Sequence, residues 1–99
     1  MTERVTRLLG LGLKAGRVVI GVSGVRSGLQ RGEFACVVLA SDAGERTHEK
    51  VTRLAKAKGV PLITGPQADD LGAKLGRPPV QAVGVRDPAL ARGLIADSR

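Results

Sequence analysis

The chain has no tyrosine and no tryptophan, and Phe34 is its one phenylalanine. Recognition of nucleic-acid bases by stacking on aromatic platforms is thereby almost ruled out. Cysteine is as scarce: Cys36 alone cannot close an internal disulfide, which favours a reducing compartment such as the cytoplasm. No apolar run approaches the roughly 18 residues of a membrane span. The N-terminal segment, with Glu3, Arg4 and Arg7 scattered among polar and apolar residues, does not read as a secretory signal. One histidine and one cysteine cannot build a structural zinc site within the chain. Negative charge is missing locally: from Arg4 to Arg31 there are six basic residues and no acid, and acid resumes at Glu33.

What is present is a basic, apolar-rich chain of 99 residues, the length of one domain, here expected to span 1–99. Sixteen Lys and Arg against nine Asp and Glu give a net charge of +7, and a small domain that basic is expected to meet an anionic partner, nucleic acid first. An apolar share of 42% excludes a disordered polybasic tail.

Apolar spacing predicts a helix from Thr2 to Ala15, capped by Thr2 and faced inward by Val5, Leu8, Leu9 and Leu13; Gly10 and Gly12 weaken it. Val18-Val19-Ile20 reads as a strand, and a helix from about Val22 to Arg31 follows, stopped by Gly32. Ala35 to Ala40, apolar on both faces, reads as a buried strand. A helix over Glu45–Lys58 turns Val51, Leu54 and Ala55 inward. Val60–Ile63 is expected as a strand whose Pro61 suits a sheet edge. Gly65-Pro66 opens a short helix ending at Gly76, Val80–Val85 is a strand, and Asp87-Pro88 starts the last helix as cap and first residue. The alternation implies an α/β/α sandwich, three layers around a mixed sheet of about four strands.

Within the acid-free stretch, Gly21-Val22-Ser23-Gly24-Val25-Arg26-Ser27-Gly28 lies where a strand hands over to a helix. Free backbone N–H groups and the helix dipole favour a phosphate there, and small side chains allow close approach. Other motifs carry less. Lys14-Ala15-Gly16 has the wrong order for a P-loop, and Gly10-x-Gly12-x-x-Ala15 spells a dinucleotide fingerprint inside a helix with no strand before it. His48 is expected to face solvent, Cys36 to be a buried inert thiol, and Asp69 and Asp70 to serve a helix N-terminus. No catalytic constellation, cofactor site or small-molecule substrate site emerges.

The order of segments resembles the ribosomal protein seven-Ae/thirty-e family, small bacterial branch. The likeness rests on Leu8-Leu9-Gly10-Leu11, Lys14-Ala15-Gly16-Arg17-Val18-Val19-Ile20-Gly21, Ser27-Gly28-Leu29-Gln30-Arg31-Gly32, Val37-Val38-Leu39-Ala40-Ser41-Asp42-Ala43, Gly59-Val60-Pro61-Leu62 and Leu71-Gly72-Ala73-Lys74-Leu75-Gly76. The resemblance implies an α/β/α sandwich that binds RNA, typically kink-turns, through the start of the second helix. The family pattern there is Gly-x-Asn-Glu-x-x-Lys; aligned on Gly21 and Gly32, its polar positions fall on Ser23, Gly24 and Ser27, so the framing glycines are kept and the three polar residues are not. A second family contact, from the loop before the last strand, falls on Arg77-Pro78-Pro79-Val80. The expected function is non-catalytic binding of structured RNA, kink-turn-like or ribosomal, with Lys14, Arg17, Gly21, Ser23, Gly24, Arg26, Ser27, Arg77, Pro78, Pro79 and Val80 as interface. The alternative is a protein-interaction module that keeps the fold and has lost RNA specificity.

Overall fold

A computed structural model describes residues 3–98; the cap expected at Thr2 lies outside them. Along the chain come α1 (Glu3–Lys14), β1 (Val18–Ile20), α2 (Val22–Gln30), β2 (Cys36–Leu39), α3 (Glu45–Ala57), β3 (Leu62–Thr64), α4 (Ala68–Lys74), β4 (Ala82–Val85) and α5 (Pro88–Asp97). The strands form one mixed sheet in the order β1-β4-β2-β3. β4 runs antiparallel to both β1 and β2, while β2 and β3 are parallel. The expected three-layer α/β/α sandwich is what forms.

Two-residue periodicity assigns the central strands to two cores. Cys36, Val38, Val83 and Val85 pack with Leu9, Leu71 and Leu94 of α1, α4 and α5. Val37, Leu39 and Ala82 pack on the other face with Val25, Leu29, Val51 and Ala55 of α2 and α3. Burying each Val or Leu contributes about 1.5–3 kcal/mol, so β2 and β4, buried at all four positions, anchor the sheet.

The lone aromatic belongs to this second core. The ring of Phe34 lies between Gly28 of α2 and Gly84 of β4, so close to both that a Cβ on either glycine would overlap it. The ring thus acts as the spacer between α2 and the sheet.

Several boundaries differ from the sequence expectation, each because a tertiary contact takes over. Val60 closes α3, its N–H donating to the Ala55 carbonyl at 2.9 Å, so β3 begins later, at Leu62. Gly65 does not open a helix: its N–H extends the β2–β3 pairing to the Leu39 carbonyl at 2.8 Å, and α4 begins at Ala68. Val80 lies outside β4, donating to the Ala68 carbonyl at 2.9 Å. Leu8, expected inward, is 40% exposed; Val5 and Leu9 carry that face of α1. Gly12 is explained by packing, since a Cβ there would stand 2.9 Å from Val18 Cγ2.

At the sheet end where β1 begins and β4 finishes, exposed ion pairs tie the loops. Asp87 caps α5 as expected, Oδ1 accepting from the Ala89 N–H at 2.9 Å, and its Oδ2 pairs with Arg17 Nη1 at 3.0 Å. Arg31 Nε donates to Glu33 Oε1 at 2.7 Å, Arg86 Nη2 to Glu33 Oε2 at 3.1 Å, and Arg86 Nη1 to the Gly16 carbonyl at 2.9 Å. Backbone N–H groups of Ala89 and Leu90, then Arg17, hold the Asp87 carboxyl below its ordinary value. The Arg31 hydrogen bond, with Arg86 adding to it, does the same for Glu33 against desolvation, which is second in size and opposes them.

Two predictions follow from this packing and pairing. Gly28→Ala should destabilise the fold by about 1–3 kcal/mol, because overpacking against a rigid ring outweighs the roughly 1 kcal/mol that alanine gains in a helix. Phe34→Ala should cost about 3–5 kcal/mol, and Phe34→Leu should relieve part of the Gly28→Ala defect. Urea unfolding of the single and double variants measures this, and strictly additive effects would remove the wedge. On pH, both carboxylates bind protons less readily in the folded chain than in the unfolded one. Their contribution is therefore complete above the ordinary carboxylate range and drains away as pH falls below about 5 and through their lowered folded values. Melting temperature against pH should decline less steeply in Asp87→Asn and Glu33→Gln; acid profiles parallel to the unsubstituted chain would refute the assignment.

Candidate nucleic-acid interface

Register decides which candidate residues can act together. At one end of the sheet the Gly21 N–H donates to the Ala82 carbonyl at 2.9 Å, and the Ala40 N–H to the Gln81 carbonyl at 2.8 Å. At the other end the Arg86 N–H donates to the Arg17 carbonyl at 2.9 Å. Because β1, β2 and β3 point the same way, α2, α3 and α4 all begin at the Gly21 end, and the Arg77–Val80 loop returns to it along α4.

Gly21 is the N-cap of α2, with φ 104° and ψ 150°, a conformation that favours glycine. It offers no side chain to the helix start, so the first-turn N–H groups are left for another acceptor. Val25 and Leu29 point into the core at helical spacing. The opposite stripe, Val22, Ser23, Arg26, Ser27 and Gln30, lines an open concavity of about 420 Å3. Ser23 and Gln30 are exposed, while Arg26 and Ser27 are half-buried. Arg26 is not the fully exposed cation that its place in the sequence suggests: its Nε is buried and has no hydrogen-bond partner among the described residues. A charged donor left so is costly.

The other candidates are distributed differently. Gly24 serves packing, since a Cβ there would stand 2.7 Å from Val19 Cγ1. Arg17 stands a strand's length from the α2 start and is engaged by Asp87. Lys14 and Arg77, with Arg7 and Lys74, line a separate groove between α1 and the end of α4. Pro78 and Pro79 are exposed, but Val80 is 5% exposed and packed in the first core, which corrects its expected role against a base. The structure therefore unites Gly21, Ser23, Arg26 and Ser27, and sets Lys14, Arg17 and Arg77 apart. The grouping of Arg7, Lys14, Lys74 and Arg77 has no local signal in the sequence, because it joins elements about sixty residues apart.

The remaining reactive groups have structural places. Burial pushes the Cys36 thiol up to about 12, which keeps it protonated and unreactive. His48 is exposed on α3. Asp42 Oδ1 accepts from the Ala68 N–H at 2.7 Å, tying its loop to the start of α4. No group of three or more His, Cys, Asp or Glu among the described residues is placed to hold a metal ion.

Comparison with known proteins agrees with this architecture. A solved structure of a protein of unknown function from Bacillus halodurans superposes with a TM-score of 0.88 at 28% identity, covering 96% of each chain. The large ribosomal subunit protein eL30 of Pyrobaculum calidifontis is 33% identical over 84 residues, 83% of each chain. A profile of the ribosomal protein L7Ae/L30e/S12e/Gadd45 family matches residues 3–95, nearly all that the structure describes, and the chain belongs to that family.

Proposed function

We propose that this chain is a non-catalytic, cytoplasmic RNA-binding protein that grips structured RNA, kink-turn-like or ribosomal, with the outward stripe of α2. The observation that carries this reading is Arg26, a cation whose Nε is buried and unpartnered beside an uncapped helix start. The family relationship and the ribosomal name of the Pyrobaculum relative support RNA as the anion. In this reading the α2 N–H groups and Arg26 take phosphate oxygens, Ser23 and Ser27 approach base edges, and Pro78 and Pro79 close against the loop. Lys14, Arg17 and Arg77, away from the stripe, add to the field that steers RNA rather than to the grip.

Ser23, Gly24 and Ser27 supply neither the carboxylate nor the amide of the family pattern. A bidentate base contact discriminates by about 1–3 kcal/mol, so this interface should bind strongly through phosphates and select weakly among RNAs. Titration with a kink-turn RNA, a plain duplex and a single strand over a salt series tests this. Binding at low salt should weaken steeply with added salt, with a kink-turn preference over duplex of about tenfold or less. Arg26→Gln should weaken all three, Arg26→Lys should restore only part because the planar fork is lost, and Arg17→Glu should have the smaller effect. Absence of RNA binding at low salt would overturn the proposal and leave the protein-interaction alternative.

A further inference from the structure

The outer face of α1 lies away from the α2 stripe to which the RNA grip is assigned, and it carries an apolar feature that steering of RNA by charge does not use. Among the described residues, Leu8 and Leu11 are the exposed large hydrophobics, 40% and 57% accessible, one helical turn apart. Leu11 borders a groove of about 660 Å3 between α1 and the end of α4, with Gly10 and Leu13 also lining it. Arg7, Lys14, Lys74 and Arg77 line the same groove against one carboxylate, Glu3. None of the four cations is ion-paired among the described residues.

Gly10 adds an independent observation. A glycine inside a helix weakens it and calls for a reason. Gly12, Gly24, Gly28 and Gly72 have one, because a Cβ would press on Val18, Val19, Phe34 and Pro78 respectively. A Cβ on Gly10 would meet nothing within 4 Å, as is also true of Gly93 in α5, and neither φ is positive; of the two, Gly10 is the one that lines this groove. Nothing inside the molecule requires this glycine; what it provides is depth in the groove beside Leu11.

We propose that this groove docks an acidic amphipathic helix of a partner protein. An apolar side chain of the partner seats over Gly10 against Leu11, and carboxylates meet Arg7, Lys14, Lys74 and Arg77. Charge and shape together choose this occupant. Nucleic-acid phosphates would satisfy the cations but leave Leu11, the exposed leucine that lines this groove, uncovered. A second copy of the chain would bring cations against cations at a net charge of +7 each. A grooved surface fits a ridge of side chains better than it fits a flat bilayer.

The test uses the isotope-labelled full chain and a synthetic peptide of about 16 residues, roughly four helical turns. The peptide carries leucines on one face and glutamates elsewhere; a control has lysine in place of glutamate. Amide shifts should saturate, concentrate in residues 6–14 and 73–77, and be absent with the control. Gly10→Leu should fold with an unchanged or higher melting temperature, keep its RNA affinity and bind the peptide at least about tenfold more weakly. Each of four results would overturn the proposal: no saturable shift up to about 1 mM peptide, equal shifts with the control, undiminished binding by Gly10→Leu, or displacement of the peptide from these amides by duplex RNA. Vesicles of phosphatidylglycerol that move these amides where the peptide does not would assign the face to a membrane and overturn it too.

Discussion

The contact between Phe34 and two glycines sets the geometry on which the rest depends. The ring fills the space between α2 and β4, and it fits because position 28 of the helix and position 84 of the strand both lack a Cβ. Protein interiors tolerate little void and little overlap. The separation of α2 from the sheet is therefore set by the thickness of one ring, and with it the placement of the α2 start beyond the end of β1. The sole aromatic of a basic chain, a residue type that in many nucleic-acid-binding proteins stacks on bases, here serves beneath α2 rather than on its surface.

Strand direction then separates the charges. With β1, β2 and β3 aligned, three helices begin at the Gly21 end, while Arg17, Arg31 and Arg86 collect at the other end around Glu33 and Asp87. Exposed ion pairs of this kind contribute little to stability. Their larger consequence is electrostatic: they offset positive charge at the end away from the α2 start. Arg26, on the outward stripe of α2, has no such carboxylate among the described residues. The protein thus keeps a half-buried cation without a carboxylate partner near the helix start, where the dipole also favours an anion.

Much of the fold was legible in the sequence because its strongest signals are local. The apolar run of β2, the Asp87-Pro88 start of α5 and the glycine stops at Gly32 and Gly76 each act within a few residues, and each stands where expected. The misplacements involve positions where a distant partner decides. Gly65 follows the edge of β2, Val60 completes the preceding helix, and Val80 is drawn under α4 by Ala68. The grouping of the candidate residues was legible in the same measure. Gly21, Ser23, Arg26 and Ser27 share one helix and could be grouped from spacing alone. Lys14, Arg17 and Arg77 belong to elements whose relative placement only the sheet order determines.

The departure from the family pattern at position 24 is tied to packing beneath it. A Cβ at Gly24 would approach Val19 Cγ1 to 2.7 Å, and valine, stiff at χ1, has little freedom to withdraw. A family-type glutamate at position 24 would therefore have to push α2 off β1 or displace Val19 on a strand three residues long. Lifting α2 is opposed by Val25 and Leu29, both fully buried, and by the Phe34 ring against Gly28. The small residues at the start of α2 are thus a property of the α2–β1 packing as well as of the exposed surface, and a glutamate at position 24 would require a smaller residue at position 19 in the same step.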